Sequence, residues 1–308
     1  MVSTKLIDEN NPIDIFLDSG AFSVFTGKAD ISLNDYIEFI KENEDILTSY
    51  ANLDVISDVE ESWRNQEKME KAGLSPLPVF HLREPIEYLH RCMEYDYFCM
   101  GGVATESRTI LQRELDLVFN IICPEKNDHF PVSKVHGFGI TNVSLLLRYP
   151  WYSADSTTFL KLAAYGRILV PRKKEGRYDY KHVPSLVTVS EESELRSDFL
   201  LSLPPLVQKS ILAYLDEFDV PLGKTDFKQV DKEYSLEENE FFTDLHPWKK
   251  KEMGFDDNRP VVKIVRKEGV CNKTEYRATC NALFFQNLQK EIEWPRPFLA
   301  FKNKKLFF

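Results

Sequence analysis

The stretch IFLDSGAFSVFTG, residues 15–27, carries an apolar run to Asp18 and follows that carboxylate with three small residues, Ser19, Gly20 and Ala21. A strand apolar on both faces belongs to a parallel sheet covered by helices. An acid at its carboxyl end sits where α/β folds place their chemistry. The same texture recurs along the chain, with short apolar runs at 50–56, 77–81, 97–100, 135–138, 151–154 and 168–170 separated by longer amphipathic stretches. Such alternation is the pattern of β-α units. With 186–189 as the best candidate for an eighth strand, residues 1–198 are expected to form an α/β domain, a (β/α)8 TIM-like barrel. The texture changes after residue 198, and residues 199–308 read as a mostly helical C-terminal extension packed on the barrel.

Helix signals fit between the strands. Ser32 with Asp35 three residues on forms a variant capping box, and the helix it opens is expected to run to about Leu47. Asp58 caps the next helix, with Glu61 in its first turn and Gly73 as its stop. TILQRELDLVFNII (109–122) places Ile110, Leu111, Leu115, Val118 and Ile122 near one face. In the extension, PPLVQKSILAYLDEF (204–218) and YRATCNALFFQNLQKEI (276–292) read as helices and RPVVKIVRK (259–267) as a strand. Residues 230–240 are acidic and irregular.

The chain has 308 residues, 43% hydrophobic and 29% charged, which describes a folded globular protein and not a disordered one. No apolar run approaches the length needed to cross a membrane, and the first ten residues lack a secretion signal, so a cytoplasmic location is expected. Five cysteines without paired short spacing suggest free thiols. The net charge of −10 opposes binding to a polyanion. Yet PRKKEGR (171–177), WKKKE (248–252) and FKNKK (301–305) are local cationic runs. Each alone fits a solvated loop; together they suggest a basic face, with Arg172, Lys173, Lys174, Arg177, Lys249 and Lys250 as phosphate contacts.

Six strand ends offer chemistry to one mouth: Asp18, Asp54 in LDVI, His81, the pair Gly101 and Gly102, His136 before Gly137, and Asp155. Each also has a bland reading. Asp18 and Asp155 fit turn or helix-cap positions, Asp54 fits a buried ion-pair partner, His81 and His136 fit wall residues, and the glycines fit a tight turn.

Taken in order, FLDSGAF, LDVI, MGGVA, HGFG and YSADSTTF resemble the queuine and archaeosine tRNA-guanine transglycosylases. They are most similar to the phage and bacterial relatives of the DpdA type, which insert 7-deazaguanine bases into DNA. The resemblance covers roughly residues 13–171. It implies a barrel enzyme that exchanges guanine in a polynucleotide for a free 7-deazaguanine such as preQ0. By position, Asp155 resembles the nucleophile that attacks C1′, and Asp18 the acid/base that handles the proton of the departing and entering bases. Phe22 resembles the aromatic that stacks on the base, and Asp54 the carboxylate that reads the guanine edge. Gly101 and Gly102 resemble the backbone lying against that base, and His81 and His136 are expected in the same pocket. Ser19, Gly20 and Ala21 are then expected to leave room for a flat ring.

The chain departs from the tRNA enzymes in two places. Gly20-Ala21-Phe22-Ser23 replaces their Gly-Gly-aromatic-Gln, and only Cys271 and Cys280 stand where they carry a three-cysteine zinc site. No structural zinc and no other cofactor is expected. The first departure changes the pocket rim; the lost zinc site, in the part expected to help grip tRNA, and the lack of a separate RNA-binding domain favour DNA over tRNA as partner. The same exchange on tRNA, a non-catalytic nucleic-acid-binding subunit, and a two-acid glycoside hydrolase are the alternatives. The acidic total charge makes helper proteins an expectation as well.

Overall fold

Short apolar runs that are buried on both faces become the strands of a parallel sheet, and their helices follow them in sequence. A computed structural model describes residues 14–102, 108–140, 142–195 and 198–299. By internal contacts the chain divides into two compact units, 1–140 with 148–155 and 294–308, and 141–147 with 156–293. The boundary expected at 198/199 falls inside the second unit. The cationic run 301–305 lies outside the described residues.

The first unit contains β1 (Phe16–Leu17), α1 (Ala21–Phe25), α2 (Leu33–Glu42), β2 (Ser49–Tyr50), α3 (Val59–Lys71), β3 (Val79–His81), α4 (Ile86–Cys92), β4 (Tyr97–Gly101), α5 (Arg108–Ile122) and β5 (Lys134–Gly137). Helix α6 (Val143–Arg148) lies mostly in the second unit, and β6 (Ser153–Ala154) returns to the first. The strands β3, β4, β5 and β6 are hydrogen-bonded in that order, all parallel. Strand β1 pairs in parallel with β2, and a parallel bridge from Ala51 to Leu77 carries the series from β2 to β3. Six strands therefore run parallel in sequence order. Phe98, Cys99 and Met100 of β4 are all fully buried, as a strand covered on both faces requires.

Ser32 caps α2 by accepting from the Asp35 amide at 3.1 Å, and Asp58 caps α3 by accepting from Glu61 at 3.0 Å. Helix α2 stops at Glu42 and not near Leu47, because the Asn43 side chain donates to the Phe39 carbonyl at 2.7 Å and the chain turns. The residues after 293 return to the first unit, where Phe298 packs on Tyr149 and Phe119.

The second unit holds α7 (Thr158–Ala164), β7 (Arg167–Val170), β8 (Arg172–Lys174), β9 (Arg177–Asp179), β10 (Ser185–Thr188), α8 (Pro205–Glu217), β11 (Lys224–Gln229), β12 (Glu240–Thr243), α9 (Pro247–Met253), β13 (Val261–Lys267) and α10 (Thr274–Glu291). Strand β10, the candidate eighth barrel strand, runs antiparallel to β7. The chain reverses through the β8–β9 hairpin between them, so β10 cannot enter as a parallel crossover strand. Strands β11, β13 and β12 form a separate antiparallel sheet. Among the described residues no helix is long and apolar enough to cross a membrane.

Asn281 of α10 is fully buried and holds β7 in place: its Oδ1 accepts from the Leu169 amide at 2.7 Å, and its Nδ2 donates to the Phe159 and Arg167 carbonyls at 3.0 and 3.2 Å. Asn281→Leu strands three buried backbone groups. The expected cost is about 2–4 kcal/mol, read as a lower urea midpoint; an unchanged midpoint would remove Asn281 as the pin between α10 and β7.

Candidate active site

Asp54 leaves β2 on a loop that α3 holds from below. Asn52 donates to the Ser62 carbonyl at 2.8 Å, Asn65 donates to the Leu53 carbonyl at 2.9 Å, and the Val55 amide donates to the Ser62 hydroxyl at 2.8 Å. Ser62 and Asn65 on the buried polar side of α3 thus serve the loop that carries the acid. The Asp54 side chain is 5% exposed, and both of its oxygens are engaged. Ser19 Oγ donates to Oδ1 at 3.1 Å, and His81 Nε2 lies 3.1 Å from Oδ2.

His81 is held from its other side by Glu84, whose Oε1 lies 3.2 Å from Nδ1 and whose Oε2 accepts the His81 amide at 2.9 Å. Burial works against a charged imidazole here, but Asp54 and Glu84 outweigh it and push the pKa up to about 9. His81 is therefore an imidazolium at neutral pH, with both N–H groups donated to carboxylates. The expectation that His81 contacts a base directly changes accordingly: no N–H remains for one, and its influence passes through Asp54. Gly101 allows this, since a Cβ there would stand 2.5 Å from His81 Cδ2. Gly102 turns at φ +79 beside the Leu82 backbone.

The small residues after Asp18 also have local reasons. Ser19 is buried, donates to Asp54 and accepts from the Ala21 amide at 3.2 Å. Gly20 has φ +76, and a Cβ there would meet Ile31 at 2.9 Å. Ser19 and Gly20 thus also serve the tight turn into α1. Phe22 on α1 is 54% exposed, an aromatic face open to solvent beside Asp18.

Asp155 follows β6 with its side chain 46% exposed. Its Oδ1 accepts from the Gly139 amide at 2.9 Å and lies 3.6 Å from His136 Nε2. His136 is buried in β5, stacked on Phe16 of β1 with ring centroids 4.2 Å apart, and its Nε2 has no hydrogen-bond partner. Its Nδ1 lies 2.5 Å from Ser153 Oγ, which in turn is 2.6 Å from the Tyr97 hydroxyl. The proton arrangement that satisfies this row runs from Tyr97 to Ser153 to Nδ1, leaving Nε2–H directed at Asp155.

Asp18 and Asp155 are displaced in opposite directions by their settings. For Asp18, burial raises the pKa; its contact with the Gly20 amide lowers it, and the charges of Asp155 and Asp54 raise it, for a net rise above 3.8. For Asp155, burial raises the pKa, but His136 and the Gly139 amide outweigh it, for a net fall below 3.8. The structure thus brings Asp18, Asp54, His81, Gly101, Gly102, His136 and Asp155 to neighbouring strand ends. Glu84, Ser153, Tyr97 and Gly139 complete the arrangement without having been singled out by sequence.

The cationic residues separate into two groups, both in the second unit. Arg172, Lys173, Lys174 and Arg177 are exposed on β8 and β9. Lys249 is buried against Glu191 at 3.2 Å, and Lys250 lies 3.4 Å from Asp244. Lys249 is thus unsuited to meet a phosphate, because its charge is already matched inside the fold. All five cysteines are free thiols, with Cys280 in the apolar core and Cys271 beside Thr225. No protein-family model matches the chain, and no curated protein does either.

A histidine whose folded pKa is raised stabilises the fold fully below its ordinary value of 6.5, and that contribution is lost as pH rises through about 9. Wild-type protein is expected to lose up to roughly 3 kcal/mol across this window, seen as a melting temperature several degrees lower at the alkaline end. His81→Gln should start less stable and flatten this limb. Gly101→Ala, whose methyl displaces the His81 ring, should flatten it with the histidine intact. An alkaline limb of full size in both variants would show that the Asp54–His81–Glu84 contact does not produce it.

Proposed function

We propose that the chain is a guanine transglycosylase that exchanges guanine in DNA for a free 7-deazaguanine base, such as preQ0, through a covalent aspartyl intermediate. The observation that carries the reading is the pair of accessible carboxylates after β1 and β6, electrostatically coupled yet displaced in opposite directions. Two acids whose surroundings push their proton affinities apart are suited to one nucleophilic and one proton-handling role. The same reading takes the six parallel strands as part of a (β/α)8 barrel.

In the first half-reaction a carboxylate oxygen of Asp155 attacks C1′ while the bond from C1′ to the guanine nitrogen breaks. The electron pair leaves with the base, and Asp18 supplies its proton. In the second half-reaction the 7-deazaguanine gives its ring N–H proton to Asp18, its nitrogen attacks C1′, and the Asp155 ester bond breaks. Nothing is oxidised or reduced. Positive charge builds at C1′ in both steps, so an ionised Asp155 stabilises each transition state as it does in retaining glycosidases. Burial and like charge raise Asp18 toward the range where proton transfer in both directions is efficient.

Asp54 supplies the recognition. Clamped by Ser19 and the His81 imidazolium, it is oriented as an acceptor, which suits the ring N–H and amino donors of guanine. Phe22 offers a stacking face for a base that has left its helix. His136 and the Gly139 amide hold Asp155 ionised and oriented.

The test is exchange of labelled guanine into and out of duplex DNA, with the adduct followed on denaturing gels. Asp155→Asn is expected to abolish both adduct and exchange. Asp18→Asn should slow adduct formation by about 10²–10⁴-fold. Exchange retained by Asp155→Asn would overturn the assignment, and exchange confined to tRNA would move the substrate.

A further inference from the structure

The β8–β9 hairpin is joined by Glu175 and Gly176, whose φ values of 50 and 83 make the two-residue turn that matches strand twist. The two strands form a sheet of their own, with Arg172 opposite Asp179, Lys173 opposite Tyr178 and Lys174 opposite Arg177. Residues alternate between the faces of such a ribbon. One face is anchored: Lys173 Nζ sits 4.9 Å over the Tyr178 ring, and Tyr178 packs edge-on against Tyr214 at 5.1 Å. The other face presents Arg172, Lys174, Arg177 and Asp179.

That second face carries three cations and one acid. Lys174 stands directly opposite Arg177, a like-charge pairing that opposes strand association. The Asp179 carboxylate is taken by His182 Nδ1 at 2.7 Å and the Lys181 amide at 3.0 Å. Arg172, Lys174 and Arg177 have no ion-pair partner among the described residues. Elsewhere in the unit Lys228, Lys249, Lys250, Lys263, Arg266 and Lys273 each have a carboxylate partner. A chain of net charge −10 has acids to spare for three more cations. Three cations gathered on one exposed ribbon face, whose one acid is already held by His182, suit a polyanion from outside the chain.

We propose that the outward face of the β8–β9 hairpin grips the phosphate backbone of duplex DNA, fixing the duplex without reading its sequence. Arg172 and Lys174 are about 7 Å apart along the strand, close to the separation of successive phosphates. The two arginine forks suit phosphate oxygens, and a two-stranded ribbon is narrow enough to lie in a major groove. This inference rests on the nucleic-acid reading above but uses neither Asp18 nor Asp155.

The experiment compares the full-length chain with its Arg172→Gln, Lys174→Gln, Arg177→Gln triple variant, by fluorescence anisotropy of a labelled duplex over a potassium chloride series. The changes are on the surface and leave Tyr178 in place, so the melting temperature should match wild type; Lys174→Gln alone serves if it does not. Each lost contact is expected to reduce the slope of log affinity against log salt by about 0.9, and the triple variant should bind roughly 100-fold more weakly at 0.1 M salt. Equal slopes and affinities in wild type and variant would overturn the proposal. So would wild-type binding to polyglutamate or anionic vesicles as tight as to the duplex. Loss of duplex binding with no base exchange under any condition would keep the hairpin and reject the transglycosylase, whereas exchange with an unaltered salt slope would do the reverse.

Discussion

The contact between Asp54, Ser19 and the His81 imidazolium joins the ends of three strands that are otherwise linked only through short backbone pairings. Ser19 follows β1, Asp54 follows β2 and His81 ends β3, so one buried carboxylate sets the relative height of all three. Removing one partner of a buried charge pair costs about 3–5 kcal/mol because the other charge stays behind. That penalty explains the supporting residues. Glu84 fixes the far side of the histidine, Gly101 lets its ring approach β4, and Ser62 and Asn65 hold the loop that delivers the acid. Asp54 is thereby held with a donor on each of its oxygens.

The same logic separates the two accessible acids. Asp18 has one amide contact and two neighbouring carboxylates, so its charge is opposed. Asp155 has an amide and a histidine nitrogen, so its charge is supported. His136 can support it because Phe16 stacks on its face and Ser153 fixes its other nitrogen. A row of ordinary groups, hydroxyl to hydroxyl to imidazole, thus turns two chemically identical side chains into different ones.

Much of this was legible in the sequence at the level of elements. Six apolar runs became six parallel strands, and the acids and imidazoles at their ends stand where alternation predicted. The capping residues Ser32 and Asp58 do what their side chains allow in any context. What remained hidden depends on direction and not on pattern. The end of α2 is set by the Asn43 side chain competing for the Phe39 carbonyl, and the direction of β10 by a hairpin that reverses the chain. Glu84, Ser153 and Tyr97 are unremarkable in sequence and matter only through what lies across the strand ends. Lys249 looked like a surface cation, but α9 turns it toward Glu191.

The carboxylates gathered at the strand ends of the first unit have a consequence for any polyanion that approaches them. Asp18, Asp54, Glu84 and Asp155 gather in the first unit with only histidine to offset them, so the strand ends repel a polyanion. At 6 Å in water each such pair of unit charges opposes binding by roughly 0.7 kcal/mol, and salt reduces this within a Debye length of about 8 Å. A site of this kind gains little affinity from its own charges. Attraction must come from surface whose positive charge the fold has left unmatched. On the proposed function, strand ends of this kind call for an anchoring element elsewhere on the chain, the part proposed for the exposed Arg172, Lys174 and Arg177.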